Sequence, residues 1–461
     1  MPVGNEMHMV NSFDPTRPAD LGDAARELLR RRDASMGAAY RLFYDRPLHL
    51  VRGEGAYLFD SEGNDYLDAY NNVPVVGHSN PRVRQAVSEQ LGILNTHTRY
   101  LTDQVVVYAE RLTGLFPSPL DQAIFACTGS EAVDLALRIA RAVTGRRGVI
   151  ATRHAYHGTT TATAEISPSL GSNNPIPPDV ALVDAPDRVR DDPARATEEF
   201  GRRIDAAVDE LRGRGVEPAA IILDSVFSSD GLQLDPAGLL TVAAERARAH
   251  GALYIADEVQ GGFGRTGGWW GFQLHEVLPD IVVLGKPMGN GLPIAALVSR
   301  PDLLDAFGRK VRYFNTFGGN PVCVAAASAV LDEIESQQLL QHADILGREL
   351  LDAIRAVASN DPGVAATRGA GLFLAVEFVT GAGSPDAASD PDRAAPDPDR
   401  AAPDPARAAR VVNAMRERRI LISASGTYDN VLKIRPPLIF PASAAPRLLD
   451  GLAASLAQTA P

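Results

Sequence analysis

Residues 253–286 read LYIADEVQGGFGRTGGWWGFQLHEVLPDIVVLGK, and this stretch decides the fold. It holds two short apolar runs that each close on charge. Leu253-Tyr254-Ile255-Ala256 leads into Asp257, and Ile281-Val282-Val283-Leu284 leads into Gly285 and Lys286. Strands buried on both faces read as continuous apolar runs instead of alternating ones. The spacing fits one crossover between parallel neighbours. Asp257 and Lys286 should then leave the sheet at the same edge, the carboxyl-end edge where ligands bind in open α/β sheets.

Outward from that pair, similar runs occur at 123–126, 148–151, 219–223, 252–256, 280–284 and 293–299, alternating with helical stretches. The pattern predicts an α/β fold with a mostly parallel central sheet and helices on both faces, forming a large domain over 71–325. Downstream, helical periodicity covers 323–336 and 339–356. A strand is expected at 371–378, then a helix ending near Arg418, then a strand at 430–434. These form a smaller α/β domain over 326–461. Upstream, 1–70 should supply a helix over 20–46, stopped by Pro47, and a hairpin turning at Glu62-Gly63-Asn64-Asp65, both joining the small domain. A further helix is expected over 80–94, opened by Asn80-Pro81. The segment 391–409 repeats Pro, Asp, Arg and Ala with almost no large apolar residue. It reads as a solvated insertion near 385–409 that cannot anchor a core, and its recurring Pro excludes a coiled coil.

Composition narrows the function classes. The chain has 461 residues, enough for two or three domains, with 45% hydrophobic and 22% charged residues, in the globular range. A net charge of −12 argues against nucleic acid and anionic membrane as partners. No run is long and apolar enough to span a bilayer, and no basic-then-apolar leader is visible in the first 18 residues. Only two cysteines occur, Cys127 and Cys323, which suggests free thiols in a reducing cytoplasm. No metal site is expected, because the two histidines of His154-Ala155-Tyr156-His157 lack suitably spaced partners.

Four strand ends carry possible chemistry. A lysine at a buried strand end loses hydration, which lowers its pKa and makes its amine a usable nucleophile and base; alternatively Lys286 snorkels to solvent. Asp257 can face a protonated ring nitrogen, or simply cap a helix. Thr128-Gly129-Ser130-Glu131 opens a helix with Leu135, Ile139 and Val143 at four-residue spacing, and is either a phosphate cradle or a plain cap. Tyr156, within 154–158, offers a stacking face. Together these supply the amine, counter-acid, phosphate cradle and stacking face that pyridoxal 5′-phosphate requires.

With these residues in place, the sequence resembles the class III aminotransferases, the fold type I family that includes ornithine and 4-aminobutyrate aminotransferases, over about residues 48–452. The resemblance implies pyridoxal 5′-phosphate bound as a Schiff base to Lys286, with Asp257 on the pyridine nitrogen. It also implies Gln260 near the phenolic oxygen, Gly129 and Ser130 on the phosphate, and Tyr156 stacking on the ring. Thr316, in NTFGGNP, would reach the phosphate of a neighbouring subunit, which implies a homodimer with composite sites. Within the family, YNNVPVVGHSNPRV (70–83), LNTHTRYL (94–101) and VLKIRPP (431–437) are similar to the ethanolamine-phosphate phospho-lyases and their hydroxylysine-phosphate relatives. Lys433 stands where many members have a single Arg, and Arg435 adds a second cation. Asp224-Ser225 replaces the usual Glu-Pro, and Ser229 replaces the glutamate that gates the substrate arginine. Two ungated cations suit a phosphate dianion, although a strand could also present both to solvent. The expected reaction is elimination of phosphate from ethanolamine phosphate, with Lys286 as base and Lys433, Arg435 and Arg99 on the departing phosphate. The alternative is an ω-amino-acid or amine aminotransferase using pyruvate or 2-oxoglutarate.

Overall fold

The computed structural model describes residues 11–15, 21–71, 73–380 and 402–460. Seven strands form the central sheet, in the order Gln122–Ala126, Ala295–Ser299, Ile281–Leu284, Leu253–Asp257, Pro218–Asp224, Gly148–Thr152 and Val180–Val183. Adjoining pairs are parallel except at Ala295–Ser299, which runs antiparallel to both neighbours. Each of the six apolar runs is a strand in this sheet. Val180–Val183 was not anticipated, because four apolar residues alone do not distinguish strand from helix.

The runs are continuous because both faces of the sheet are covered. Ile221, Leu223, Tyr254, Ala256, Val282 and Leu284 pack into one core, and Ala220, Ile222, Ile255, Ile281 and Val283 into the other. Helix Gly129–Thr144 seals the second face with Ala132, Leu135, Ala136 and Ile139. Helices Ala196–Gly213 and Leu239–Ala249 cover the first. Each fully buried Ile or Leu stabilises the fold by about 1.5–3 kcal/mol.

Downstream, Val364–Ala370, Phe373–Phe378, Val431–Ile434 and Ser423–Ser425 form a four-stranded antiparallel sheet. Upstream, Leu50–Glu54, Tyr57–Asp60 and Asp65–Asp68 form a meander, and the two-residue strand Ile420–Leu421 adds to it in parallel, Ile420 opposite Leu67. Among the described residues, no helix is long and apolar enough to cross a membrane.

Three element expectations need correction. The helix expected over 20–46 covers only Asp23–Met36 and buries no residue; Gly37, at φ +67°, ends it well before Pro47. The helix expected to reach residue 94 stops at Leu91, where Gly92 closes it. The last repeat unit is not a solvated insertion. Asp404 accepts from the Arg407 N–H at 2.8 Å, Pro405 occupies the first helical turn, and the helix runs Pro405–Glu417. Arg407 is fully buried, and its guanidinium forks onto Asp361 at 2.7 and 2.5 Å. Residues 385–401 of the expected insertion lie outside the described residues.

Candidate active site

The central sheet brings five strand ends to one cavity, lined by Gly129, Ser130, Tyr156, His157, Gly158, Asp224, Asp257, Val259, Gln260 and Lys286. Asp224 and Asp257 stand opposite one another in register on adjacent parallel strands. Lys286 follows the next strand, and the antiparallel Ala295–Ser299 separates that strand from Gln122–Ala126, which leads to Thr128 and the helix bearing Gly129 and Ser130.

Burial lowers the Lys286 ammonium pKa, with Asp257 acting against the shift and Arg435 adding to it. The amine lies 5.7 Å from the Tyr156 ring centroid. Asp257 is buried and fixed at both oxygens: the Val259 N–H donates to Oδ1 at 2.9 Å, and His157 Nδ1 meets Oδ2 at 2.7 Å. His157 is itself buried, and its backbone N–H donates to Ser167 Oγ at 2.8 Å. His154-Ala155-Tyr156-His157-Gly158 thus supplies more than the expected stacking face, through a contact that joins residues 100 positions apart across strand ends.

Thr128 caps the next helix in a reciprocal box with Glu131. The N–H groups of Gly129 and Ser130, at the start of the helix, have no intrahelical acceptor and are available to an anion. The backbone there is tightly enclosed. A Cβ on Gly129 would lie 3.0 Å from Val259 Cγ2, and one on Gly158, at φ +135°, would overlap Ser130 Oγ. Cap and cradle are therefore compatible: Thr128 and Glu131 do the capping, while Gly129 and Ser130 line the cavity.

The second cation pair adjoins this cavity. Arg435 donates to Gln260 Oε1, and its guanidinium lies 5.0 Å from the Tyr70 ring and 5.3 Å from Phe373. Lys433 is buried on strand Val431–Ile434 and held well below the ordinary lysine range by burial and then by Arg435. It lies within electrostatic reach of Asp224, Lys286 and Asp230. The reading of these two residues as solvated strand positions does not hold. Asp230 was not anticipated. It is buried, receives the Thr152 hydroxyl at 2.9 Å, and is pushed up to about 7 by burial. Asp224 is raised by burial and by Asp257. Tyr70, quoted in a matching segment, was likewise not singled out.

Thr316 and Arg99 lie elsewhere. Both are exposed and neither lines the Lys286 cavity of its own chain. Arg99 lies over the Phe314 ring at 3.7 Å, so within one chain it cannot join Lys433 and Arg435. Cys127 and Cys323 are free thiols.

The donor set suits a phosphorylated pyridine aldehyde. Two free helix-start N–H groups could receive an anion, a doubly anchored carboxylate could meet a ring nitrogen, and an amine of lowered basicity sits beside an aromatic ring.

Comparison with known proteins gives the same direction. A family model described as aminotransferase class-III matches residues 43–456. A Drosophila melanogaster protein named alanine–glyoxylate aminotransferase 2-like is 39% identical over 430 residues, covering 90% of this chain and 83% of the relative. A Caenorhabditis elegans protein named ethanolamine-phosphate phospho-lyase homolog 1 is 35% identical over 434 residues, covering 90% of each. A solved phospholyase from Arthrobacter in complex with phosphoethanolamine matches with a TM-score of 0.86 at 43% identity, covering 93% of this chain and 99% of that one.

Proposed function

We propose that this chain, which belongs to the class III aminotransferase family of fold type I, pyridoxal-phosphate-dependent enzymes, is a phospho-lyase that eliminates phosphate from ethanolamine phosphate. The observation that carries the proposal is the pair Lys433 and Arg435, two buried cations beside the Lys286 cavity. By the resemblance to the family, Ser229 would take the place of the glutamate that covers a substrate arginine. Cations left open in this way favour a phosphate dianion over a carboxylate that must alternate with a second substrate. The Arthrobacter phospholyase, solved with phosphoethanolamine, supports the same reading.

The bound cofactor supplies an electrophilic carbon for amines and a ring that takes up electron density. The chain's own residues do the rest. Gly129 and Ser130 would hold the cofactor phosphate, Tyr156 would cover the ring, and Gln260 would stand near its phenolic oxygen. Asp257, anchored by His157 and Val259, would keep a proton on the ring nitrogen. Lys286, its basicity lowered by burial, would hold the cofactor and then take the proton from the substrate carbon that bears nitrogen. General-base assistance of this kind gives ~10²–10⁴-fold. The C–O bond to phosphate then breaks, and Lys433 and Arg435 would receive the dianion. With one water consumed, the products are acetaldehyde, ammonia and inorganic phosphate.

We also infer a homodimer in which Thr316 reaches the neighbour's cofactor phosphate. Support comes from its exposure outside its own cavity and from the exposed apolar side chains beside it, Phe317 and Phe314, the latter joined to Tyr100 through His97. Contiguous apolar surface of this kind marks an interface. Arg99, on the same surface, would then serve a neighbouring site and not its own.

The aminotransferase reading draws on the name of the Drosophila relative. The two readings separate when the purified, cofactor-loaded protein is given phosphoethanolamine alone. A lyase releases phosphate and acetaldehyde with no keto acid present. A transaminase releases neither and requires pyruvate or 2-oxoglutarate to turn over.

A further inference from the structure

One carboxylate oxygen ties together two parts of the chain that serve different sites. Glu131 Oε2 accepts from the Cys127 N–H at 2.7 Å and the Thr128 N–H at 3.3 Å, which holds the start of the cradle helix. The same oxygen accepts from Asn315 Nδ2 at 3.4 Å, 184 residues along the chain. Asn315 Oδ1 in turn accepts from the Phe317 N–H at 3.1 Å and the Gly318 N–H at 2.9 Å. Those two bonds close the turn on which Thr316 stands exposed. A capping box needs only Thr128 and Glu131, so the Asn315 contact is additional to it. On its other side the turn is packed by rings: His97 meets Phe314 edge-on at 5.7 Å, and Arg99 covers it.

We propose that Glu131 and Asn315 are positioning residues that link a subunit's own phosphate cradle to the threonine turn it lends to its neighbour. The proposal rests on the shared-site reading above and extends it. Gly129 and Ser130 sit on the inner side of the Glu131 contact and Thr316 on the outer side. A shift at the helix start therefore moves the lent threonine. In a dimer two such contacts join the two cofactor sites through packed, hydrogen-bonded groups, and ordering one cradle orders the threonine that closes the other.

The link is tested in mixed dimers assembled from two differently tagged subunits, one carrying Lys286→Ala. That subunit gives no visible band from lysine-bound cofactor, so the band reports only the other site. The test variant is Asn315→Asp. It keeps the acceptor for the Phe317 and Gly318 N–H groups, and so preserves the turn, but sets a like charge against Glu131. When Asn315→Asp is in the Lys286→Ala subunit, the reporting site receives its threonine from the altered turn. Dialysis against cofactor-free buffer should then bleach the band about tenfold faster than in the control dimer, the scale of one lost charge-assisted hydrogen bond. When Asn315→Asp is in the reporting subunit, that site receives an unaltered threonine and feels the variant only through its own capped helix start, so its rate should rise less than in the first placement. Asn315→Leu should show the same dependence on placement. In the Lys286→Ala subunit, Glu131→Gln, which keeps an acceptor oxygen but loses the charge, should speed the loss less than Glu131→Leu, which removes the acceptor.

Equal rates in the two placements, or faster loss when the variant is in the reporting subunit, would overturn the link. Thr316→Ala separates this result from the shared-site reading. If Thr316→Ala in the Lys286→Ala subunit leaves the rate unchanged, the shared site itself is wrong and the link falls with it. If Thr316→Ala speeds loss and Asn315→Asp does not, the link alone is wrong.

Discussion

Lys286 and Lys433 are both held below the ordinary lysine range, chiefly because burial strips water from the ammonium. Their surroundings differ. After burial, the largest influence at Lys286 is Asp257, which opposes the shift, whereas at Lys433 it is Arg435, which adds to it. An arriving phosphate dianion would oppose the shift at Lys433, adding negative charge to that of Asp224 and Asp230. Lys286→Ala should abolish the visible absorbance of lysine-bound cofactor whatever the substrate. Replacing Lys433 and Arg435 together by Ala should raise the KM for phosphoethanolamine by about a hundredfold, at roughly tenfold per lost charge-assisted bond, and change binding of a plain amine far less. Equal losses for the two ligands would make the pair structural. Asp230 gives a pH signature. Its folded value, about 7, lies above the ordinary 3.8, so its protonated form favours the fold. That stabilisation is complete below the ordinary value and is lost as pH rises through about 7. Thermal unfolding of the cofactor-free protein should accordingly show Asp230→Asn removing part of the fall in midpoint between about pH 4 and 7.

Among the elements, the helix Pro405–Glu417 is held by a contact that no local pattern reveals. Its buried Arg407 is paired with Asp361, whose carboxyl, raised by burial alone, is brought below its ordinary range by the Arg407 and Gly363 bonds. Asp361→Ala leaves that guanidinium unpaired and should cost about 3 kcal/mol in denaturant unfolding at neutral pH. The effect should shrink in acid, because a depressed carboxyl contributes above its unfolded value and loses that contribution as pH falls through the folded one. The helix illustrates why parts of the fold were legible and parts were not. The central strands could be read because two covered faces demand unbroken apolar runs, as at Ile281–Leu284. The last repeat unit was misread because Pro-Ala-Arg-Ala-Ala looks soluble until Asp404 caps it and Arg407 finds Asp361. Ile420–Leu421 is a strand only because Asp65–Asp68 is waiting for it. In the site, Lys286, Asp257 and the Gly129–Ser130 pair are set by strand ends and could be placed. The His157 contact to Asp257 and the burial of Asp230 depend on side chains meeting across strands.

For the whole molecule, the proposed dimer would cover exposed apolar side chains near Thr316. Leu101 is 99% exposed and Phe317 69%. Leu101→Asp combined with Phe317→Asp should convert dimers to monomers in sedimentation and loosen the cofactor at the same time, since each site would lose its borrowed threonine. Folded monomers that retain cofactor as firmly as the unaltered protein would contradict the composite site. The buried cation pair serves the central proposal, that phosphate is the group this enzyme expels. The most direct measurement is a keto-acid-free incubation of the cofactor-loaded protein with phosphoethanolamine, following inorganic phosphate and acetaldehyde together. The account predicts both, released in equal amounts over many turnovers. Phosphate at background, with turnover appearing only when pyruvate or 2-oxoglutarate is added, would contradict it.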